Sequence, residues 1–303
     1  MSSAELITEE GARAGEVPQA RPPAPAPAEA DPPVTVIEPR PGWRVIDLRE
    51  LWRYRELLYF LTWRDIKVRY KQTVLGAAWA VLQPLATTAV FVLFIGRMAG
   101  AAAGVEHYPL FVLAGLIPWT FFANAVNSAG GSVVGGQNLV TKIYFPRLLI
   151  PTGAVAAGAV DLLIAFSVLL VFMLLSGVAP GWGALALPLV LLLIVAAALG
   201  VGCLLAALTV TYRDFRHVVP FTVQLWMFAT PSIYLGAGAV GPRAELLLPL
   251  NPLYGLVLNF RAAVLGGPLN WYALGVSGAV AAGLLVLGTL YFRRAERRFA
   301  DVI

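Results

Sequence analysis

Residues 187–208, LPLVLLLIVAAALGVGCLLAAL, run without a charged side chain for about six turns of helix. A run of this length constrains the fold more than any other feature of the chain. A hydrocarbon layer about 30 Å thick needs about 20 apolar helical residues to cross it. It contains no water, so every backbone amide must be paired within a helix or a closed barrel, and unbroken apolar runs choose the helix. The rest of the composition agrees. The chain is 59% apolar and 13% charged, with a mean hydropathy of +0.76, whereas a soluble domain is about 45–50% apolar and about 25% charged.

The sequence predicts an all-α integral membrane protein with six transmembrane helices: Ala77 to Gly96, Pro109 to Asn127, Leu148 to Ser176, Ala184 to Val210, Val218 to Leu235, and Trp271 to Phe292. Between the fifth and sixth lies LLLPLNPLYGLVLNFRAAVLGGP, apolar but cut by Asn251, Pro252, Gly266 and Gly267 into pieces too short to cross. Two re-entrant or surface half-helices are expected there. Their apolar residues Leu253, Tyr254, Leu256 and Val257 are candidates for an outer gate.

Three regions follow. Residues 1–42, with PPAPAPAEADPP at their centre, read as a disordered tail rich in Pro and Ala. The tail lacks a basic start followed by an apolar core, which argues against a cleaved targeting segment. Residues 43–76 read as an amphipathic helix in the membrane interface: Leu51, Tyr54, Leu58 and Leu61 recur at helical spacing, beside Arg49, Arg53, Arg64 and Lys67. Residues 77–303 form the transmembrane part.

Lys and Arg are distributed unevenly over the connections. Arg64, Lys67, Arg69 and Lys71, then Lys142 and Arg147, Arg213 and Arg216, and Arg293, Arg294, Arg297 and Arg298 all fall on one side. The opposite side holds Arg97, Arg243 and Arg261. Both termini are therefore expected in the cytoplasm. The net charge of +5 reflects this topology, because the basic residues flank apolar runs and form no single polar domain for nucleic acid.

Catalytic chemistry is not visible. No stretch matches GxxxxGK[ST] or GxSxG, so any ATPase is expected on another subunit. His107 and His217 stand alone, Cys203 is the only cysteine, and no metal-ligand spacing occurs. Asp161, inside the third span, would cost about 2.5–3.5 kcal/mol as an ionised carboxylate on insertion scales, so it must face protein or water. Pairing with a neighbouring helix and lining a translocation path are both open. The aromatics near span ends, Trp79, Trp119, Phe121, Phe122, Trp226, Tyr234, Tyr254 and Trp271, fit an interfacial belt. They also fit a path on which sugar rings stack.

The order of residues resembles the permeases of polysaccharide and teichoic acid ABC exporters, including those for O-antigen and capsule. Arg64, Asp65, Lys67, Arg69, Tyr70, Leu75, Gly76, Trp79 and Pro84 in WRDIKVRYKQTVLGAAWAVLQP carry the most specific match. GLIPWTFF with Gly115, Trp119, Phe121 and Phe122, then NLVTKIYFP with Asn138, Leu139, Lys142 and Pro146, keep the family's order. Tyr212, Arg213 and Asp214, then Trp226, Pro231 and Tyr234, then Asn251 and Pro252, then Glu296, Phe299, Ala300 and Asp301 extend it to the C-terminus.

The resemblance implies a bacterial inner-membrane permease that does no covalent chemistry itself and moves a lipid-linked glycan outward. It implies a second copy of the chain, two cytoplasmic ATPase subunits that hold ATP and Mg, and a path along the dimer interface. A short helix over Gly136 to Phe145, with Gln137, Asn138, Lys142 and Tyr144, would dock on the ATPase. Arg64, Asp65, Lys67, Arg69 and Tyr70 would belong to the interface helix beside it. The rival readings are an ABC exporter of small lipids or drugs and, from another class, a secondary transporter or intramembrane enzyme.

Overall fold

The computed structural model describes residues 52–71, 78–98, 100, 105–142, 145–235 and 241–299. The tail predicted over residues 1–42 lies outside the described residues, as do Leu51 and Tyr144. Every regular element among the described residues is helical. Ten α-helices follow in order: α1 (Arg55–Tyr70), α2 (Ala78–Phe91), α3 (Tyr108–Gly135), α4 (Gln137–Lys142), α5 (Leu149–Leu175), α6 (Leu187–Thr211), α7 (Phe215–Phe228), α8 (Pro242–Leu247), α9 (Pro252–Leu265) and α10 (Trp271–Ala295).

Five helical stretches among the described residues are long and apolar enough to cross a membrane: Ala78–Met98, Tyr108–Gly135, Leu149–Leu175, Trp182–Thr211 and Trp271–Arg298. They correspond to the first, second, third, fourth and sixth predicted spans. The predicted fifth differs. Its helix α7 has 14 residues, about 21 Å of rise, then stops at Ala229 and resumes as one 3-10 turn over Pro231–Ile233. Pro231 ends the helix by removing an amide donor.

Helix α3 is the hub, packed against α2, α5, α6, α7 and α9. Its core residues, from Leu113 through Phe122 to Ala129, form one hydrophobic cluster with Ala197 and Val201 of α6 and Leu256 and Phe260 of α9. The outward faces carry exposed Leu163, Leu174, Leu192 and Leu287, which lipid solvates and water would not. The region predicted as two half-helices holds the six-residue α8, a 3-10 turn and α9. Helix α9 is too short to span, and eleven of its residues are buried against α3, α6 and α10.

Small residues set the closest crossings. A Cβ on Gly288 of α10 would fall 2.0 Å from the carbonyl oxygen of Gly200 on α6, and a Cβ on Gly255 of α9 would fall 2.3 Å from Ala273 O of α10. Gly266 ends α9 at φ +78°, a left-handed conformation that a side chain would strain. Gly288→Ala is expected to destabilise the fold by about 1–3 kcal/mol, because backbone atoms must move apart. Gly283→Ala, on the same helix with nothing within 4 Å, should leave the melting temperature in detergent unchanged or raise it slightly. Equal melting of the two variants would show that the α6–α10 crossing does not need its glycines.

Candidate functional site

Helix α1 packs along α5. Leu61, 1% exposed, packs on Gly153 of α5, and eight residues further along each helix Arg69 reaches Asp161. The same offset at both points means that α1 and α5 run side by side in one direction over this stretch. Thr62 donates its hydroxyl to Leu58 O at 2.8 Å, so its polar atom is satisfied within α1. The sequence stripe is thus partly realised: Leu61 is buried, with Tyr54, Leu57 and Leu58 against the same cluster. Trp52 just before α1, and Tyr59, Phe60 and Trp63 on its outer face, are exposed. Tyr59 stacks on Trp63 at 6.4 Å, and Lys67 lies 5.4 Å from the Trp63 ring.

The last turn of α1 delivers two donors to one carboxylate. Arg69 forms an ion pair with Asp161 Oδ2, and the Tyr70 hydroxyl donates to Oδ1. Arg69 also reaches Ser128 Oγ of α3 at 3.4 Å. Arg64 and Asp65 pair with each other at 2.9 Å and stay out of this group. Burial first, then the hydrogen bond and charge of Asp161, push the Tyr70 phenol from 10.0 up to about 12, against an opposing pull from Arg69. Tyr70 is therefore a proton-bearing donor at neutral pH.

This triad sits on a cavity of about 360 Å³ between α1, α2, α3 and α5. Arg69, Tyr70, Trp79 and Asp161 all line it, so Asp161 is both paired to a neighbouring helix and part of a lining. Sequence reasoning missed the opposite wall. Thr120, Asn124, Asn127 and Ser128 of α3 face the cavity, with Gln83 of α2. Their spacing of four, three and one is one face of a helix, a polar stripe inside an otherwise apolar span that could have been found by pattern.

The other predicted path residues lie elsewhere. Trp119, Phe122 and Trp226 form an aromatic chain with centroids 5.8 and 5.2 Å apart, anchored where Trp226 Nε1 donates to Asn251 Oδ1 at 3.0 Å. Tyr234 packs on Phe91 and donates to Phe228 O at 2.9 Å. Leu253, Leu256 and Val257 are fully buried in the core and Tyr254 nearly so, and none of the four lines the cavity. The connection between the second and third spans holds the six-residue α4, with Gln137 and Asn138 exposed; Lys142 is its last residue.

Residues 56–260 match the family described as ABC-2 type transporter. The chain is 31% identical to an O-antigen export system permease protein RfbA of Myxococcus xanthus, over 84% of this chain and 98% of that protein. It is 27% identical to an RfbA of Klebsiella pneumoniae over 82% of this chain and 95% of that one. It is also 26% identical to the polysialic acid transport protein KpsM of Escherichia coli, over 68% and 80% respectively.

Removing one member of the half-buried pair strands the other. Asp161→Leu is expected to cost about 1–3 kcal/mol, and Arg69→Met added to it should restore part of the loss. Thermal melting of the two single variants and the double variant measures the coupling, and strictly additive losses would deny it. The Tyr70 contribution is present below pH 10.0, the unfolded phenol's pKa, and should be lost as pH rises through about 12. The difference in ultraviolet titration between the protein and Tyr70→Phe should show one phenol with that high midpoint, and a midpoint near the ordinary value would mean that the hydroxyl is free.

Proposed function

Because the chain belongs to the ABC-2 type transporter family, we propose that it is the membrane-spanning permease of an ATP-driven polysaccharide exporter. One observation carries this reading: the similarity to an O-antigen export permease spans 98% of that protein's length, so the whole membrane domain corresponds. Relatives named for O-antigen and for polysialic acid point to a long glycan as cargo. Capsule or O-antigen on a lipid carrier is the substrate class we assign, moved outward across the bacterial inner membrane.

The permease works as a dimer with two ABC ATPase subunits that bind ATP and Mg. Helix α4 docks on the ATPase through Gln137, Asn138 and Lys142, with Tyr144 just beyond it. ATP binding draws the two docking helices together, and α1 and the first and fifth spans pass that movement to the path. The exposed aromatic and cationic face of α1 suits the headgroup layer, where rings lie at the boundary and cations meet anionic lipid. A sixth crossing is completed by α7 and the 3-10 turn after it, which together reach Ile233. Both termini face the cytoplasm, because Lys and Arg crowd that side.

Deleting the gene should remove long-chain glycan from the cell surface and leave it on the carrier inside, and the intact chain should restore export. Unchanged surface glycan would overturn the reading. The purified chain alone should hydrolyse no ATP, and turnover should appear with its ATPase. For topology, single cysteines at Lys142 and Arg293 should be labelled only after the cells are opened, and those at Ala101 and Gly181 in intact cells; Cys203 is buried and stays silent. The reverse pattern would invert the orientation.

A further inference from the structure

The cavity beside the Arg69–Asp161 pair has a composition that selects among ligands. Its charges are matched: the guanidinium of Arg69 is neutralised by Asp161, and Tyr70 remains a neutral donor. A phosphate entering here would find no free cation among the described lining residues. The rest of the lining is amide, hydroxyl and ring: Gln83, Thr120, Asn124, Asn127 and Ser128 supply donors and acceptors, and Trp79, more than half exposed, supplies a flat face. Amides both donate and accept, as the hydroxyls of a sugar do.

One residue of this wall carries a further cost. Asn127 lines the cavity, and its Oδ1 is buried and accepts no hydrogen bond in the structure. Such an atom costs about 1–3 kcal/mol, and polar residues within membrane spans mark ligand pathways. The volume of about 360 Å³ sits at the lower end of the range for ligand pockets, about 300–1,000 Å³, and suits one or two sugar rings.

We propose that this cavity is a binding site for a neutral sugar ring, held by the α3 polar stripe and stacked on Trp79, and that it excludes the anionic phosphate of a carrier lipid. It deepens the export reading and rests on it for the source of the sugar. The ring stacks its C–H face on the indole while the amides and hydroxyls of the α3 stripe pair with its hydroxyls.

The test uses the full chain in lipid nanodiscs and two probes with the same alkyl tail, an alkyl glucoside carrying a diazirine on the sugar and an alkyl phosphate carrying it beside the phosphate. Photolysis and mass spectrometry locate the adducts. Glucoside adducts should concentrate on residues 79–84 and 117–128, and fall about tenfold in Asn127→Leu and in Trp79→Ala. Trp79 is exposed, so its variant keeps the fold even if Asn127→Leu does not. Equal labelling by the phosphate probe, adducts spread over the lipid-facing surface, or labelling indifferent to both substitutions would each overturn the site. The deletion experiment separates the two readings. Surface glycan lost on deletion with no adducts in the cavity refutes the site alone, whereas adducts with surface glycan unchanged refute the export reading.

Discussion

Apolar helices gain nothing by the hydrophobic effect when they leave lipid for one another, so this bundle depends on how closely its backbones can approach. The α6–α10 crossing brings Gly200 and Gly288 together, and α9 is admitted into the bundle by Gly255 against Ala273 and Ser277 of α10. On α3 the same device appears at Gly115, which lies against the backbone of Ile233 in the break after α7. Dispersion contacts and weak polar bonds then act over short distances along the helices. A Val or Leu at any of these crossings would lever two helices apart and loosen every contact beyond it.

On that frame the Arg69–Asp161 pair does something packing cannot. Leu61 on Gly153 holds α1 against α5 by shape, but shape alone allows a helix to slide. A carboxylate that accepts from both Arg69 and Tyr70 fixes the register at the other end of the contact. The pair is only partly screened, with side chains 32% and 20% exposed, so it is worth more than a surface ion pair and carries less desolvation cost than a sealed one. Because the same carboxylate lines the cavity, a shift of α1 along α5 alters the cavity wall. That links the position of α1 to the space proposed to take a sugar.

Hydropathy made five crossings legible, because 20-residue apolar runs have few other solutions. It was less informative for Val218 to Leu235: the run carries no charge, but the chain there forms a 14-residue helix ending at Phe228 and, from Pro231, a single 3-10 turn. Gly266 and Gly267 were readable as the stop of α9, since a left-handed residue closes it. Asp161 was legible as a charge needing a partner, yet nothing in its own span names Arg69, which lies 92 positions away. Trp79 and Trp119 look alike in sequence as aromatics at span ends. One lines a cavity and the other is buried in the core, a difference that depends on helix rotation.

Arg261 belongs to the connection before the last predicted span, yet it is 5% exposed on α9, with its guanidinium 3.5 Å from the Phe111 ring centroid. The physical reason lies in the break after α7. Unwound backbone beside apolar helices leaves carbonyls without helical donors, and side chains supply them. Here Phe228 O accepts from the Tyr234 hydroxyl, Ala229 O from Asn251 Nδ2, Ser232 O from Arg261 at 2.7 Å, and Tyr234 O from the Tyr108 hydroxyl. Four side chains from α3, α9 and the loops around them thus replace the missing helical amides. The chain can end α7 early only because α9 is short, buried and aimed at the gap. The apolar segment that could not cross the membrane is what completes the neighbour that stops short.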